Sequence, residues 1–213
     1  MKTLKLIQSD ETKIWFTSDL WLHLYHKNLV SGESVWKDKS VCRTFDSVKD
    51  MSNLIINNIN SNVNCNDTLF ILGDVLFGNK EYLPTILNRI WCTNIYLIMG
   101  NHDTYIENNE KYKKLFKGVY DTLHLEIDKN INIILSHYAH RTWAGYHKGY
   151  IHLYGHSHGS IDDHGKSMDI GIDAMFNKTN AYIPIDLGNI LKIMNKRDIK
   201  YVDKHKTSSH EKE

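Results

Sequence analysis

This chain of 213 residues has few cysteines, a small net charge and only short apolar runs. The three cysteines, Cys42, Cys65 and Cys92, are odd in number and widely spaced, so they predict reduced thiols and not a disulfide framework. The 26 Lys and Arg residues balance 25 Asp and Glu residues, and a formal net charge of +1 gives no global attraction to a polyanion. No apolar run reaches the roughly 18–20 residues of a membrane span.

The amino-terminal segment lacks the features of a secretory signal. The sequence MKTLKLIQSDETK turns polar four residues after Leu4, too soon for the apolar region of a signal peptide. With the reduced thiols, this predicts a cytoplasmic protein with no membrane partner. The length leaves no room for a dedicated nucleic-acid-binding domain, and the sequence carries no signal for an oligomeric state.

The order of apolar and amphipathic stretches is typical of an α/β domain over residues 1–196, followed by a polar, partly disordered tail over residues 197–213. A composition of 41% hydrophobic residues is enough for one full core. A turn over residues 128–130, between LHLEI and INIIL, predicts a hairpin. The predicted strands are residues 13–18, 68–72, 94–99, 132–136, 150–154 and 167–172, and the predicted helices are residues 40–60, 80–91, 107–116 and 186–196.

The chain is rich in histidine, with 13 in all, and several of them follow predicted strands directly. Because ligands gather at the carboxyl ends of strands in open α/β sheets, these residues can converge in space. Carboxylate and imidazole together suit divalent metals such as Mn, Fe, Zn, Co or Ni. The five strand ends carry Asp19 with His23, Gly73-Asp74, Gly100-Asn101-His102-Asp103, Ser136-His137 and Gly155-His156-Ser157-His158.

Each of these groups also has an ordinary structural interpretation. Asp74 after a glycine is common turn chemistry, and the run from Asn101 could begin a helix. His124 and His152 are best interpreted as core histidines, and Asp169 and Asp173 could either orient ligands or serve in turns. Taken singly the structural interpretation is preferred, but the ordered set of strand ends favours a metal site.

The same motifs, GDV, MGNHD, LSHY and YGHSHG in this order, resemble those of the calcineurin-like metallophosphoesterases. The resemblance covers residues 14–190, and the stretch from SHYAHRTW to DIGIDA is similar to a bacterial and phage branch of small single-domain phosphoesterases. It implies a four-layer αββα sandwich of two mixed sheets flanked by helices. It also implies a dinuclear metal centre that hydrolyses phosphate esters.

The resemblance further implies a role for each matching residue. Asp74 would bridge two divalent ions, His102 would be the general acid, and Asp103 would orient His102. A metal-bridging hydroxide would be the nucleophile. The first ion would be held by Asp19, His23, Asp74 and His158, and the second by Asp74, Asn101, His137 and His156.

The chain departs from the family at its first ligand motif. The family pattern is Asp-x-His, but two residues after Asp19 stands Trp21, which cannot bind a metal. In this branch of the family the ligating histidine is followed by xxHKN. Because HLYHKN begins at His23, a two-residue insertion at Trp21-Leu22 or the adjacent pair would make His23 the ligand. The alternative is that the loop places His23 poorly and leaves the first ion weakly bound. His26 is expected to anchor the loop or face the substrate.

Further side chains are candidates for substrate contact. Arg141 offers bidentate recognition of a phosphate. His147 is a weaker candidate for the same contact, and His26 is a further candidate for contact with the substrate. The expected substrate is a small phosphodiester or nucleotide-like ester, with a phosphomonoester less favoured. The motifs GDVLFGN and MGNHD do not match the GDxxDRG and RGNHE of phosphoprotein phosphatases. The alternative function is a weakened or inactive fold that serves as a binding scaffold.

Overall fold

Two mixed five-stranded sheets form the centre of the computed structural model, which describes residues 1–22, 43 and 45–200. The first sheet has the order β1-β6-β7-β8-β9 and the second β10-β2-β3-β4-β5. The strands are β1 Lys2–Leu6, β2 Ile14–Thr17, β3 Thr68–Ile71, β4 Asn94–Ile98, β5 Gly118–Tyr120, β6 Thr122–Ile127, β7 Ile131–Ser136, β8 Ile151–Tyr154, β9 Ser167–Asp169 and β10 Ile185–Asp186.

Helices flank the sheets, which confirms the predicted α/β class with two mixed sheets. The α-helices are α1 Val48–Asn62, α2 Leu83–Leu87, α3 Thr104–Glu107, α4 Glu110–Lys113, α5 Ile172–Thr179 and α6 Leu187–Met194, and 3-10 turns cover Lys80–Tyr82 and Tyr146–Lys148. Within the described residues, no helix is long and apolar enough to cross a membrane.

The hydrophobic core has two parts. One lies between the sheets, where the rings of Phe16 and Phe70 stack with centroids 5.4 Å apart and Leu135 and Leu153 are fully buried. The other lies between the second sheet and the helices and includes Ile55 of α1. Burial on both faces explains why the strands of the second sheet read as continuous apolar runs.

All six predicted strands and the hairpin are present, but several boundaries were wrong for local reasons. The predicted strand 167–172 ends at Asp169, because its side chain accepts the N–H of Gly171 at 2.8 Å and the chain turns into α5. The predicted helix 40–60 begins only at Val48, because the Ser47 hydroxyl caps it by accepting the N–H of Asp50 at 3.1 Å. Residues 40–42 and 44 of that prediction lie outside the described residues.

The other helix predictions were too long or incomplete. The predicted helix 107–116 is two short helices, because the Asn109 side chain accepts the N–H of Lys111 at 3.1 Å and starts α4 afresh. The predicted helix 80–91 divides into a 3-10 turn and α2. Arg197, where the predicted tail begins, donates to Asp163 at 2.9 Å, and residues 201–213 lie outside the described part of the chain.

Strand direction determines where the site lies. Strands β2, β3 and β4 are parallel in one sheet, and β7, β8 and β9 are parallel in the other. Their carboxyl ends therefore lie along one edge of each sheet. The two edges meet, since Ser18 after β2 forms a bridge with Gly171 after β9, and the Ser18 carbonyl accepts the N–H of Ile172 at 3.0 Å.

Candidate metal centre

The predicted strand-end residues come together where these two edges meet. The Nδ1 of His137, after β7, lies 2.7 Å from the Leu72 carbonyl of the other sheet. The backbone N–H of His156, after β8, donates to Oδ2 of Asp19 at 2.9 Å. Hydrogen bonds from both sheets thus hold the ends of four strands in one cluster.

Four residues of this cluster have left-handed backbone conformations that only glycine adopts without cost. The φ angles are 56° for Asp19, 55° for Asp74, 63° for His156 and 49° for His158. Each such residue costs about 1–2 kcal/mol. Strain of this kind concentrates at functional sites, where the surrounding structure compensates for it.

A glycine allows the closest approach within the cluster. A Cβ atom on Gly155 would collide with the Ser18 hydroxyl and with Oδ2 of Asp19. The carbonyl of His137 also accepts the N–H of Gly155 at 3.0 Å. The glycine before His156 is therefore required by the contact between the two sheets.

The first group of side chains, Asp74, Asn101, His137 and His156, is called here the His137 set. Since the Leu72 carbonyl can only accept, Nδ1 of His137 carries a proton and a neutral ring presents a lone pair on Nε2. That Nε2 lies 3.0 Å from Oδ1 of Asn101 and 3.7 Å from Oδ2 of Asp74. Ligand atoms of Asp74, His137 and His156 all lie within 4.8 Å of one another. A nitrogen lone pair of the neutral ring that converges with carboxylate and amide oxygens fits a bound divalent cation.

The second group, Asp19 and His158, is called here the Asp19 pair. Oδ1 of Asp19 is buried without a hydrogen-bond partner among the described residues, and Nε2 of His158 lies 3.8 Å from it. Burial raises the pKa of Asp19 above its ordinary value. An unpartnered buried carboxylate oxygen beside an imidazole nitrogen is a second position that fits a cation.

His158 is oriented from behind by a buried ion pair. Its Nδ1 lies 2.7 Å from Oδ2 of Asp173, and Asp173 accepts from Nε and Nη2 of Arg43 at 2.7 and 2.5 Å. Burial acts to raise the pKa of Asp173, but the Arg43 guanidinium outweighs it and lowers the pKa to about 2. Burial acts to lower the pKa of His158, but Asp173 and Asp19 outweigh it and raise the pKa.

Arg43 also joins this network to the segment that follows β2. Its guanidinium donates to the carbonyls of Leu20 at 2.9 Å and Asp19 at 2.6 Å, and the residue is only 2% exposed. Arg43 was not predicted from the sequence, because no motif marks an arginine whose carboxylate partner, Asp173, is 130 residues away.

The Asp103 carboxylate bonds to backbone N–H groups and, among the described contacts, not to the ring of His102, so its role in orienting that ring stays a prediction. Its Oδ2 accepts the N–H groups of Asp74 at 2.7 Å and Gly100 at 3.0 Å, and its Oδ1 accepts that of Val75 at 3.3 Å. Burial raises the pKa of Asp103 to about 6, although these N–H groups favour the charged form. Asp103 therefore joins the backbone at the ends of β3 and β4, whereas the ring of His102 is partly exposed.

His102 lies at the side of the His137 set. Its backbone N–H donates to Oδ1 of Asp74 at 3.0 Å, and its Nε2 lies 3.9 Å from Oδ2 of Asp74. The ring packs edge-on against Phe77 and Trp21, with centroids 4.8 and 5.7 Å away. Its side chain is 36% exposed, so the ring is oriented by aromatic packing and still open to solvent on one side.

Other predicted residues lie outside the cluster or outside the description. Arg141 and His147 are exposed on the loop between β7 and β8, and in the described part of the chain neither has a hydrogen bond or ion pair to the cluster. His23 and His26 lie outside the described residues. Sequence analysis also missed Tyr138, whose ring lies 4.6 Å from that of His156 and whose hydroxyl lies 3.5 Å from Oδ1 of Asn101.

Comparisons with known proteins agree with this fold and cluster. An uncharacterized protein of Methanocaldococcus jannaschii is 25% identical over 192 residues, which cover 86% of this chain and 92% of that protein. The crystal structure of a protein of unknown function from Aquifex aeolicus has a TM-score of 0.59 at 21% identity, covering 85% of this chain and 99% of that one, which supports the fold.

Most of the chain matches the model of one protein family. The model of the calcineurin-like phosphoesterase family matches residues 12–211, a range that contains every residue of the cluster. Divalent metals are typical of this family, in agreement with the ligand atoms that converge around His137. The chain therefore belongs to the calcineurin-like phosphoesterases, a family of metal-dependent enzymes.

Proposed function

We propose that this protein hydrolyses a phosphodiester or nucleotide-like phosphate ester with two divalent ions, of which Mn, Fe, Zn, Ni and Co are the candidates. The observation that carries this is the convergence of Nε2 of His137, Oδ1 of Asn101 and Oδ2 of Asp74 on one position. With a neutral His137 ring, one nitrogen and two oxygen lone pairs face this position, and a cation there would bind to all three.

Two ions would be held by neighbouring groups. The His137 set would hold one, and the Asp19 pair, with Asp74 as a shared carboxylate and His23 as the remaining candidate ligand, would hold the other. When bound, such ions polarise phosphoryl oxygens and lower the pKa of a coordinated water, which supplies a nucleophile at neutral pH.

His102 would deliver a proton from Nε2 to the leaving oxygen of the ester. Its backbone bond to Asp74 fixes it beside the His137 set, and packing against Phe77 and Trp21 limits its rotation. Its open side faces solvent, so it can be protonated again after each turnover. Asp103 would contribute indirectly, because it holds the backbone of Asp74 and Gly100 in place.

A cavity of about 340 Å³ beside the His137 set gives room for an esterified group. Its lining includes Asn101 and His137 together with the hydroxyl-bearing Thr104 and Ser136. Space of this size next to the ligands favours a substrate that carries a second ester group over a bare phosphate. Arg141, His147 and His26 remain candidates for contact with the phosphate or with that group.

The test is hydrolysis of bis-p-nitrophenyl phosphate, of p-nitrophenyl phosphate and of a diester with an alkyl leaving group, each with and without added Mn²⁺. We expect turnover that requires the metal and favours the diesters. His137→Ala should abolish turnover of every ester, because it removes a ligand. His164→Gln, an exposed histidine at the amino end of β9, should have no effect.

The leaving group separates the role of His102 from that of the ligands. Nitrophenolate leaves without help, whereas an alkoxide needs a proton, and general acid catalysis contributes about 10²- to 10⁴-fold. His102→Gln should therefore lose that factor on the alkyl diester and much less on the nitrophenyl diester. Equal losses on both would contradict the proton-donor role, and absence of metal-dependent turnover in the native chain would contradict the proposed function.

A further inference from the structure

We propose that Trp21 is a positioning residue of the metal centre, which orients Asp74 toward the His137 set and makes the two ions bind with unequal affinity. This inference rests on the proposed function, because it takes the cluster to be a metal centre. Indole cannot bind a divalent ion, so the question is what a buried tryptophan does among the ligands.

The backbone holds Trp21 firmly in the cluster. Its N–H donates to the carbonyl of Asp74 at 3.0 Å, and the N–H of Leu22 donates to that of Val75 at 3.0 Å. These bonds continue the parallel pairing of β2 with β3 beyond the ends of both strands. Trp21 has a left-handed φ of 49° and is only 4% exposed, so its side chain is directed inward at a conformational cost.

The indole contacts groups from both parts of the cluster. Its Nε1 donates to Oδ2 of Asp74 at 3.3 Å. Its ring lies edge-on to His158 at 5.1 Å and to His102 at 5.7 Å, and it stacks on Phe77 at 5.1 Å. The indole of Trp21 therefore lies between His102 and His158 of the Asp19 pair. It also donates a hydrogen bond to the Asp74 carboxylate.

The bond to Asp74 fixes the direction of the shared carboxylate. Oδ1 accepts the backbone N–H of His102, and Oδ2 accepts the indole Nε1–H of Trp21. Each oxygen keeps a further lone pair, and the one on Oδ2 is 3.7 Å from Nε2 of His137. Hydrogen bonds that orient ligating groups typically change metal affinity by about 10- to 100-fold.

The two positions are unequally provided with ligands. The His137 set has four residues with donor atoms, whereas the Asp19 pair has two among the described residues, with Asp74 shared. The rings of Trp21 and His158 lie nearly perpendicular, with centroids 5.1 Å apart, so the indole lies at one side of the Asp19 pair. The first ion is therefore expected in the His137 set and the second, more weakly, at the Asp19 pair.

The experiment is a Mn²⁺ titration of the metal-free full chain, by calorimetry and by tryptophan fluorescence. The native chain should bind two ions in steps at least about tenfold apart, and the first should quench tryptophan emission. Trp21→Phe keeps an aromatic ring but lacks the N–H. It should weaken the first step about tenfold and lose most of the quenching.

Trp91→Phe is the matched control, because Trp91 is 66% exposed and its backbone N–H donates to Asn60 of α1, outside the cluster. It should behave as the native chain does. A Trp21→Phe chain that melts as the native chain does and binds the first ion with native affinity would overturn the orienting role. Two steps of equal affinity in the native chain, a result that needs no variant, would overturn the unequal binding.

The readout is independent of hydrolysis, so two kinds of failure can be told apart. A native chain that binds no Mn²⁺ would contradict the proposed function together with the role of Trp21. A native chain that binds Mn²⁺ and turns over esters, with Trp21→Phe unchanged in binding and quenching, would contradict only the role of Trp21.

Discussion

At the scale of single residues, the histidines differ in what their second ring nitrogen contacts. His137 donates from Nδ1 to a carbonyl and His158 to a carboxylate, so both direct Nε2 toward the cluster. Contacts of this kind fix the tautomer and increase the basicity of a ligand. The sequence predicts which histidines follow strands and offers Asp173 as a residue that could orient a ligand, but it does not indicate the Leu72 carbonyl, which is 65 residues from His137.

The Arg43–Asp173 pair leads to a prediction about stability. Arg43→Met leaves the Asp173 carboxylate buried without its cation, and we expect a loss of about 3–5 kcal/mol in the free energy of unfolding. The measurement is urea unfolding of the metal-free chain. His158 would remain the partner of Asp173, which keeps the loss at the lower end of that range.

A double variant provides the control for this prediction. With Arg43→Met, the change Asp173→Asn removes the unpaired charge and keeps an oxygen for Nδ1 of His158. The double variant should therefore recover most of the lost stability. If the single and double variants unfold at the same urea concentration, the buried pair does not behave as a coupled charge pair.

At the scale of elements, strands were easier to predict than helix ends. Buried parallel strands give apolar runs that end where the polar ligands begin, so the strand positions and the site edge followed from sequence. Helix ends depend on single caps such as Ser47 and Asn109, which periodicity does not show. The strands β1, β5 and β10, which lie at the edges of the two sheets, and helix α5 were not predicted.

His152 joins three elements and predicts how stability depends on pH. Its Nδ1 donates to the Ile134 carbonyl of β7 at 3.0 Å, and its Nε2 accepts the N–H of His140 at 3.0 Å. The bond that Nε2 accepts requires a neutral ring, and burial lowers the pKa of His152 from 6.5 to about 4. As the pH falls below 6.5, His152 is protonated in the unfolded chain while the folded chain keeps it neutral.

Stability from His152 is therefore complete above pH 6.5 and is lost progressively down to about pH 4, by about 3 kcal/mol in total. His152→Gln can make both hydrogen bonds without titrating. Urea unfolding with a chelator present should give a steeper pH dependence for the native chain than for the variant over this range. Parallel curves would show that His152 does not carry the effect.

At the scale of the whole molecule, the site exists only where the two sheets meet. The His137 set draws on β3, β4, β7 and β8, and the Asp19 pair on β2 and β8. Parallel strands bring their ends to one edge, and the contact between sheets brings the two edges together. The sequence therefore predicted the ligand types and their edge, whereas the buried network around Arg43 required the folded chain.

The central claim is that the lone pairs around His137 hold a divalent ion. The most direct measurement is anomalous diffraction from crystals of the native chain grown with Mn²⁺. We expect a peak within coordination distance of Asp74, Asn101, His137 and His156, with a weaker second peak between Asp19 and His158. Manganese bound only elsewhere, or no peak at saturating Mn²⁺, would contradict the account.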